Sequence, residues 1–224
     1  MLADGRFPAG SHAHSGGLEA AVAAGRVADI GTLEAFLRGR VATSGTTAAA
    51  FAAAACAAFS DGPPQAGADS RIAVLDTEFE ARTPSPALRA TSRKLGRQLL
   101  RAARTIRSNP ELDALATTLP GGPHQPLALG AAAWSLGLGP HAAASAALHD
   151  AVTGPATATV RLLGLDPFAV QAVLVRLAPD LDGLAAAAAG NAHAPADDLP
   201  SHGAPQLDIS AELHATWEVR LFAS

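Results

Sequence analysis

The fold class that this 224-residue sequence predicts is all-α: one multi-helix bundle of about ten helices. Three observations predict it. Apolar residues make up 49% of the chain while aromatics make up 4%, and much of the apolar share is alanine, the strongest helix former and the least bulky to pack. Runs of β-branched and aromatic residues of strand type are scarce. Apolar positions recur at spacings of three and four along most of the chain. No fixed-period repeat or composition break divides it, so residues 1–224 read as one domain, with polar, mobile loops expected at about 60–70 and 190–206.

The elements follow in order. In "FPAGSHAHSGGLEAA" the segment from Leu18 to Ala24 reads as a short helix, with Ser15 or Gly16 near its cap, Glu19 in its first turn and Gly25 ending it. Asp29 and Thr32 introduce a helix whose face is Leu33, Phe36, Leu37 and Val41, and Ser44–Gly45 is expected to stop it. Thr46 to Phe59 is apolar all round, the pattern of a central buried helix. Ile72, Leu75 and Phe79 stripe the next helix. The long amphipathic stretch "ALRATSRKLGRQLLRAARTI" follows, and Pro110 opens a short helix at an N1-like position. "GGPHQP" leads into an Ala-rich helix. Pro140 to Val152 forms another, with a kink or break expected at Gly154–Pro155. Asp166–Pro167 starts a helix to about Leu177, residues 179–190 give one more, and Leu207 to about Trp217 is the last.

Composition excludes several function classes. Cys56 is the only cysteine, so an internal disulfide or a CxxC metal site is impossible, and its place inside an apolar helix marks it as core. No basic segment precedes an apolar one in the manner of a signal peptide, and the run from Ala48 to Phe59 is too short to span a bilayer. A soluble, cytoplasmic protein is expected. No phosphate-binding G-x-x-x-x-G-K-[ST] loop, G-x-S-x-G or H-E-x-x-H is present, so nucleotide hydrolysis and two common hydrolase chemistries have no motif to rest on. Ser15 beside His14 is a poor nucleophile–base pair, because adjacent residues rarely aim at one another and no third group orients the base.

Two clusters remain as candidates. Between Ala81 and Pro110 stand Arg82, Arg89, Arg93, Lys94, Arg97, Arg101, Arg104 and Arg107 without one acid, half of the chain's 16 basic residues in a protein of net charge −4. Such asymmetry suits a surface for an acidic partner, with Arg93 and Arg97 near its middle. The alternatives are a solvated face paired with acids such as Glu78 and Glu80, and a nucleic-acid-binding regulator using residues 87–107; aromatic interleaving and a known binding motif are both missing for the latter. The second cluster is histidine. His12 and His14 have a loop spacing able to touch a transition metal, although a stable site needs further converging ligands.

Taken together, "LADGRFPAGSHAHSGGLEAAVAAGRV", "ALRATSRKLGRQLL", "HQPLALGAAAWSLGL", "ATVRLLGLDPFAVQAVL" and "PQLDISAELHATWEVRLFAS" resemble, in order and across nearly the whole chain, the urease accessory protein family UreF. The resemblance implies an all-α, non-catalytic scaffold, without a cofactor of its own, for inserting nickel into urease. It implies a homodimer that binds UreD (also called UreH), recruits the nickel-carrying GTPase UreG and acts on the urease apoprotein, with no nucleic acid and no membrane. His214, Arg220, Leu221, Phe222 and Ser224 match the family's ending and are expected at a partner surface. His12 and His14 are then candidates for transient nickel contact.

Overall fold

The computed structural model describes residues 14–61 and 70–222. His12, Ser224 and most of the expected loop at 60–70 lie outside them. The described residues form ten α-helical segments and no strand: α1 (Leu18–Ala23), α2 (Ile30–Arg40), α3 (Thr46–Ser60), α4 (Arg71–Ala81), α5 (Pro86–Ile106), α6 (Pro110–Thr118), α7 (Gln125–Ser135), α8 (Pro140–Leu163), α9 (Pro167–Gly190) and α10 (Pro205–Ala215). The all-α expectation holds.

Local chemistry accounts for most helix starts. Asp29 and Thr32 form a reciprocal capping box at α2. Ser70, Ser85, Asn109 and Asp166 each accept a first-turn N–H of the helix they precede, satisfying donors that have no intrahelical partner. Ser15 serves α1 by accepting from the Glu19 N–H at 3.3 Å.

Three expected breaks are absent. Ser44–Gly45 does not stop the chain: α2 and α3 run together through a π-turn at Val41–Gly45, where the Thr46 hydroxyl donates to the Val41 carbonyl at 2.8 Å. The resulting rod, Ile30–Ser60, has 31 residues; its most apolar 18-residue window has a mean hydropathy of 1.3, and 67% of that window is buried inside the bundle. It is the core helix of this fold. Pro155 does not break α8 either. Proline has no N–H for the carbonyl four residues back, and that carbonyl, Ala151, accepts instead from Arg40 Nε at 3.0 Å. Pro179 likewise sits inside the continuous α9. The orphan carbonyl there belongs to the solvent-facing Val175.

The centre of the bundle is α3, with α4, α7, α8 and α9 against it. Its residues Ala49 to Ala57 are all buried, as is Cys56, whose thiol pKa burial pushes up to about 11. Alanine there lets neighbouring backbones approach closely, and Gly130 of α7 shows how closely. A Cβ at Gly130 would stand 2.4 Å from the Ala52 carbonyl oxygen and 2.8 Å from the Cys56 nitrogen. Gly-to-Ala inside a helix ordinarily gains up to about 1 kcal/mol. The Ala55 Cβ stands at 2.8 Å as well, and none of these three atoms can swing aside, so Gly130→Ala is expected to lose about 2–3 kcal/mol net, read as a lowered midpoint in chemical denaturation.

The segment 191–204, expected to be mobile, is fastened to α4. Arg71 donates to the carbonyls of Ala192 and Ala194 at 2.9 and 3.0 Å, and Arg82 donates to those of Ala196, Asp197 and Leu199. Ala192, Ala196 and Leu199 are buried beneath it.

Candidate partner-docking surface and its internal supports

The basic helix α5 divides its cations between inside and outside. Arg82, just beyond the end of α4, is paired with Glu78, and Arg89 donates to the carbonyls of Thr83 and Pro84. Arg104 meets Asp113 of α6 at 2.5 Å. Lys94, Arg97, Arg101 and Arg107 stay exposed. Lys94, Arg97, Arg101 and Arg104 follow one another at intervals of three and four, so they form a single stripe along α5.

Arg93 and Arg97, expected together at this surface, have different jobs. Arg97 is exposed and spends one N–H on the Gly121 carbonyl at 2.7 Å. Arg93 turns inward. Its guanidinium reaches Asp76 Oδ2 at 2.5 Å, the Gly122 carbonyl at 2.7 Å, and Glu80. The backbone N–H of His124 donates to the other oxygen of Asp76 at 3.0 Å, and His124 Nε2 lies 3.4 Å from Glu80. The "GGPHQP" loop can cross α5 here because position 96 is glycine: a Cβ would stand 2.0 Å from the Pro123 carbonyl oxygen. Gly122, at φ +84, makes the turn that brings its carbonyl to Arg93.

Asp76, Glu80 and His124 bring ligand-type atoms within 4.8 Å of one another, the arrangement that a metal would want among the described residues. The Arg93 guanidinium already supplies the positive charge for both carboxylates. Burial, then the nearby Arg93 charge, holds the His124 imidazole pKa below its ordinary value, so its neutral form is favoured. The group is a closed brace joining α4, α5 and the turn into α7.

The second support joins the two ends of the chain. Glu19 of α1 is buried, and its carboxylate accepts from three donors: His214 Nε2 at 2.9 Å, the Leu221 N–H at 2.9 Å and the Phe222 N–H at 3.0 Å. His214 is fully enclosed and packs against Trp217, with ring centroids 4.6 Å apart. Burial raises the Glu19 pKa, but the bonds from Leu221, His214 and Phe222 outweigh it and hold the carboxyl below its ordinary value. The residues expected at a partner surface thus divide between inside and outside. His214 and Phe222 face inward, and Arg161 lies over the Phe222 ring at 5.9 Å. What faces outward is Arg220 and a set of apolar side chains: Ile209 at 62% exposure, Leu213 at 60%, Val219 at 83% and Leu221 at 72%.

Glu212 ties the two outward faces together. Its carboxylate accepts from the Ala87 N–H at 2.9 Å and from the Ser85 hydroxyl, so α10 is anchored at the N-terminus of α5. Sequence reasoning missed Glu19, Asp76 and Glu212 as organisers of this surface. Only Glu19 carried a signal, its place in the "GGLEAA" opening.

His14 is partly buried and lines a cavity between α2, α5, α7 and α8. His193 lies 3.3 Å from Asp61, both exposed.

The UreF family model matches residues 27–178. Over 224 residues the chain is 41% identical to the urease accessory protein UreF of Mycolicibacterium vanbaalenii, covering all of this chain and 96% of that relative. It is 43% identical over 223 residues to that of Mycobacterium sp. (strain JLS) and 37% identical over 223 residues to that of Mycobacterium tuberculosis (strain H37Rv), with the same coverage. The brace, the Glu19 support and the outward face of α10 thus belong to a chain whose likeness to these accessory proteins runs end to end, and the chain belongs to the UreF family of urease accessory proteins.

Proposed function

We propose that this chain is a non-catalytic adaptor in assembling the nickel centre of urease, joining UreD (UreH) and the GTPase UreG to the urease apoprotein as a cytoplasmic homodimer. The observation that carries the reading is the end-to-end similarity to urease accessory proteins. Two physical features support it. The sequence contains no phosphate-binding loop, which suits a protein acting on a GTPase rather than being one. The outward apolar residues of α10 and the tail stand on a backbone held rigid by Glu19, and preorganised apolar anchors beside an arginine suit a protein interface. The stripe Lys94, Arg97 and Arg101 offers a second, basic face for an acidic partner.

Leu221→Glu is the direct test of the docking face. The Leu221 side chain is exposed while its N–H holds Glu19, so the variant keeps the internal support and changes only the surface. Combined with Leu213→Glu, it is expected to weaken co-purification with UreD at least about tenfold, the loss of one interface anchor. Unchanged capture of UreD would remove the interface role from this face.

A further inference from the structure

A cavity of about 550 Å³ lies where α2, α5, α7 and α8 meet, a volume typical of small-molecule sites. Leu95, Leu129 and Ala147 contribute apolar wall; Arg40, Ser44 and Asp150 contribute polar groups.

Arg40 is the unusual member. Arg40 is largely buried, and its guanidinium donates only to carbonyl oxygens, Ala151 at 3.0 Å and Gly16 at 2.8 Å. It makes no ion pair with any described carboxylate. Asp150 lines the same cavity but accepts its bond from Gln125 Nε2 at 2.7 Å instead. Burial pulls the Arg40 pKa down from its ordinary value and pushes the Asp150 carboxyl up, and the through-space attraction between the two offsets each shift only in part. The buried Ser44 Oγ on the same wall, in the π-turn that follows Arg40, has no hydrogen-bond partner. A charged group removed from water without a hydrogen-bonded counter-charge is costly. A guanidinium is also the side chain best shaped to take a carboxylate through two parallel N–H bonds.

We propose that this cavity binds a small organic carboxylate, its anionic head on the Arg40 guanidinium and its apolar body along Leu95, Leu129 and Ala147. A bare inorganic ion would leave most of the apolar wall uncovered, and a cationic ligand would meet Arg40 head on. The proposal does not depend on the urease reading.

Calorimetric titration of the full chain with octanoate, acetate and octylammonium tests it. Octanoate is expected to bind saturably, acetate at least tenfold more weakly, and octylammonium without saturation over the same range. Arg40→Gln is expected to lose at least tenfold in octanoate affinity with its helical circular dichroism intact. Because Arg40 also holds two carbonyls, Thr157→Trp provides a separate arm: Thr157 is an exposed cavity residue, and filling that space is expected to abolish octanoate binding without touching the core. Octanoate and octylammonium binding equally, no saturable octanoate binding, or undiminished binding by a folded Arg40→Gln or by Thr157→Trp would each overturn the proposal.

Discussion

Arg93→Ala is expected to destabilise the fold by about 3 kcal/mol, the low end of the cost of removing one member of a buried ion pair. The substitution strands the buried Asp76 carboxylate with a single backbone donor and frees the Gly122 carbonyl at the same time. Stability of a domain this size is about 5–15 kcal/mol in total, so the loss is a large share of it. Arg97→Ala, one helical turn further along, is the internal control. Arg97 is exposed and gives one hydrogen bond to a loop carbonyl, and its loss is expected to fall within about 0.5 kcal/mol. Urea denaturation of the two variants side by side separates the brace from the surface. Equal small losses would mean that the brace is not what holds α4, α5 and the α7 turn together.

Glu19→Ala is expected to cost about 3 kcal/mol and to release the C-terminal segment. Three donors converge on this carboxylate, and leaving a buried donor unpaired costs about 1–3 kcal/mol each before relaxation. Once released, the tail can rehydrate the Leu221 and Phe222 N–H groups, which limits the sum. Limited proteolysis is expected to cut after Thr216 in the variant and not in the parent. The same support is acid-sensitive. The Glu19 carboxyl is held below its ordinary value in the fold, so its contribution is fully present at neutral pH and is lost as pH falls through that lowered value. Tail cleavage in the parent is expected to rise on acidification, and to be insensitive to pH over the same range in Glu19→Ala.

Much of the helical layout was legible because its signals are local. Ser85 followed by Pro86, Asn109 by Pro110 and Asp166 by Pro167 each place a cap and an N1 proline next to an apolar period. The missed features depend on distant groups. Pro155 is tolerated because Arg40 takes over the carbonyl that proline abandons, that of Ala151, 111 residues further along the chain. The π-turn at Val41–Gly45 reads locally as a Ser–Gly stop, yet packing on both sides keeps the rod continuous. His214 reads as a polar residue near a terminus, where exposure is the ordinary expectation; its partner Glu19 lies 195 residues away. The basic run from Arg82 to Arg107 was plain, but which members face solvent depends on where Asp76, Asp113 and the Gly121–Gly122 carbonyls fold to.

The docking face and the basic stripe matter only if the chain works in urease maturation. The most direct measurement is urease activity in the host with this gene deleted, nickel supplied, and the protein restored either as the parent or as Leu213→Glu/Leu221→Glu. The account predicts that activity is lost on deletion, returns with the parent, and fails to return with the surface variant although that variant accumulates and melts like the parent. Full urease activity in the deletion strain would contradict the account at its centre.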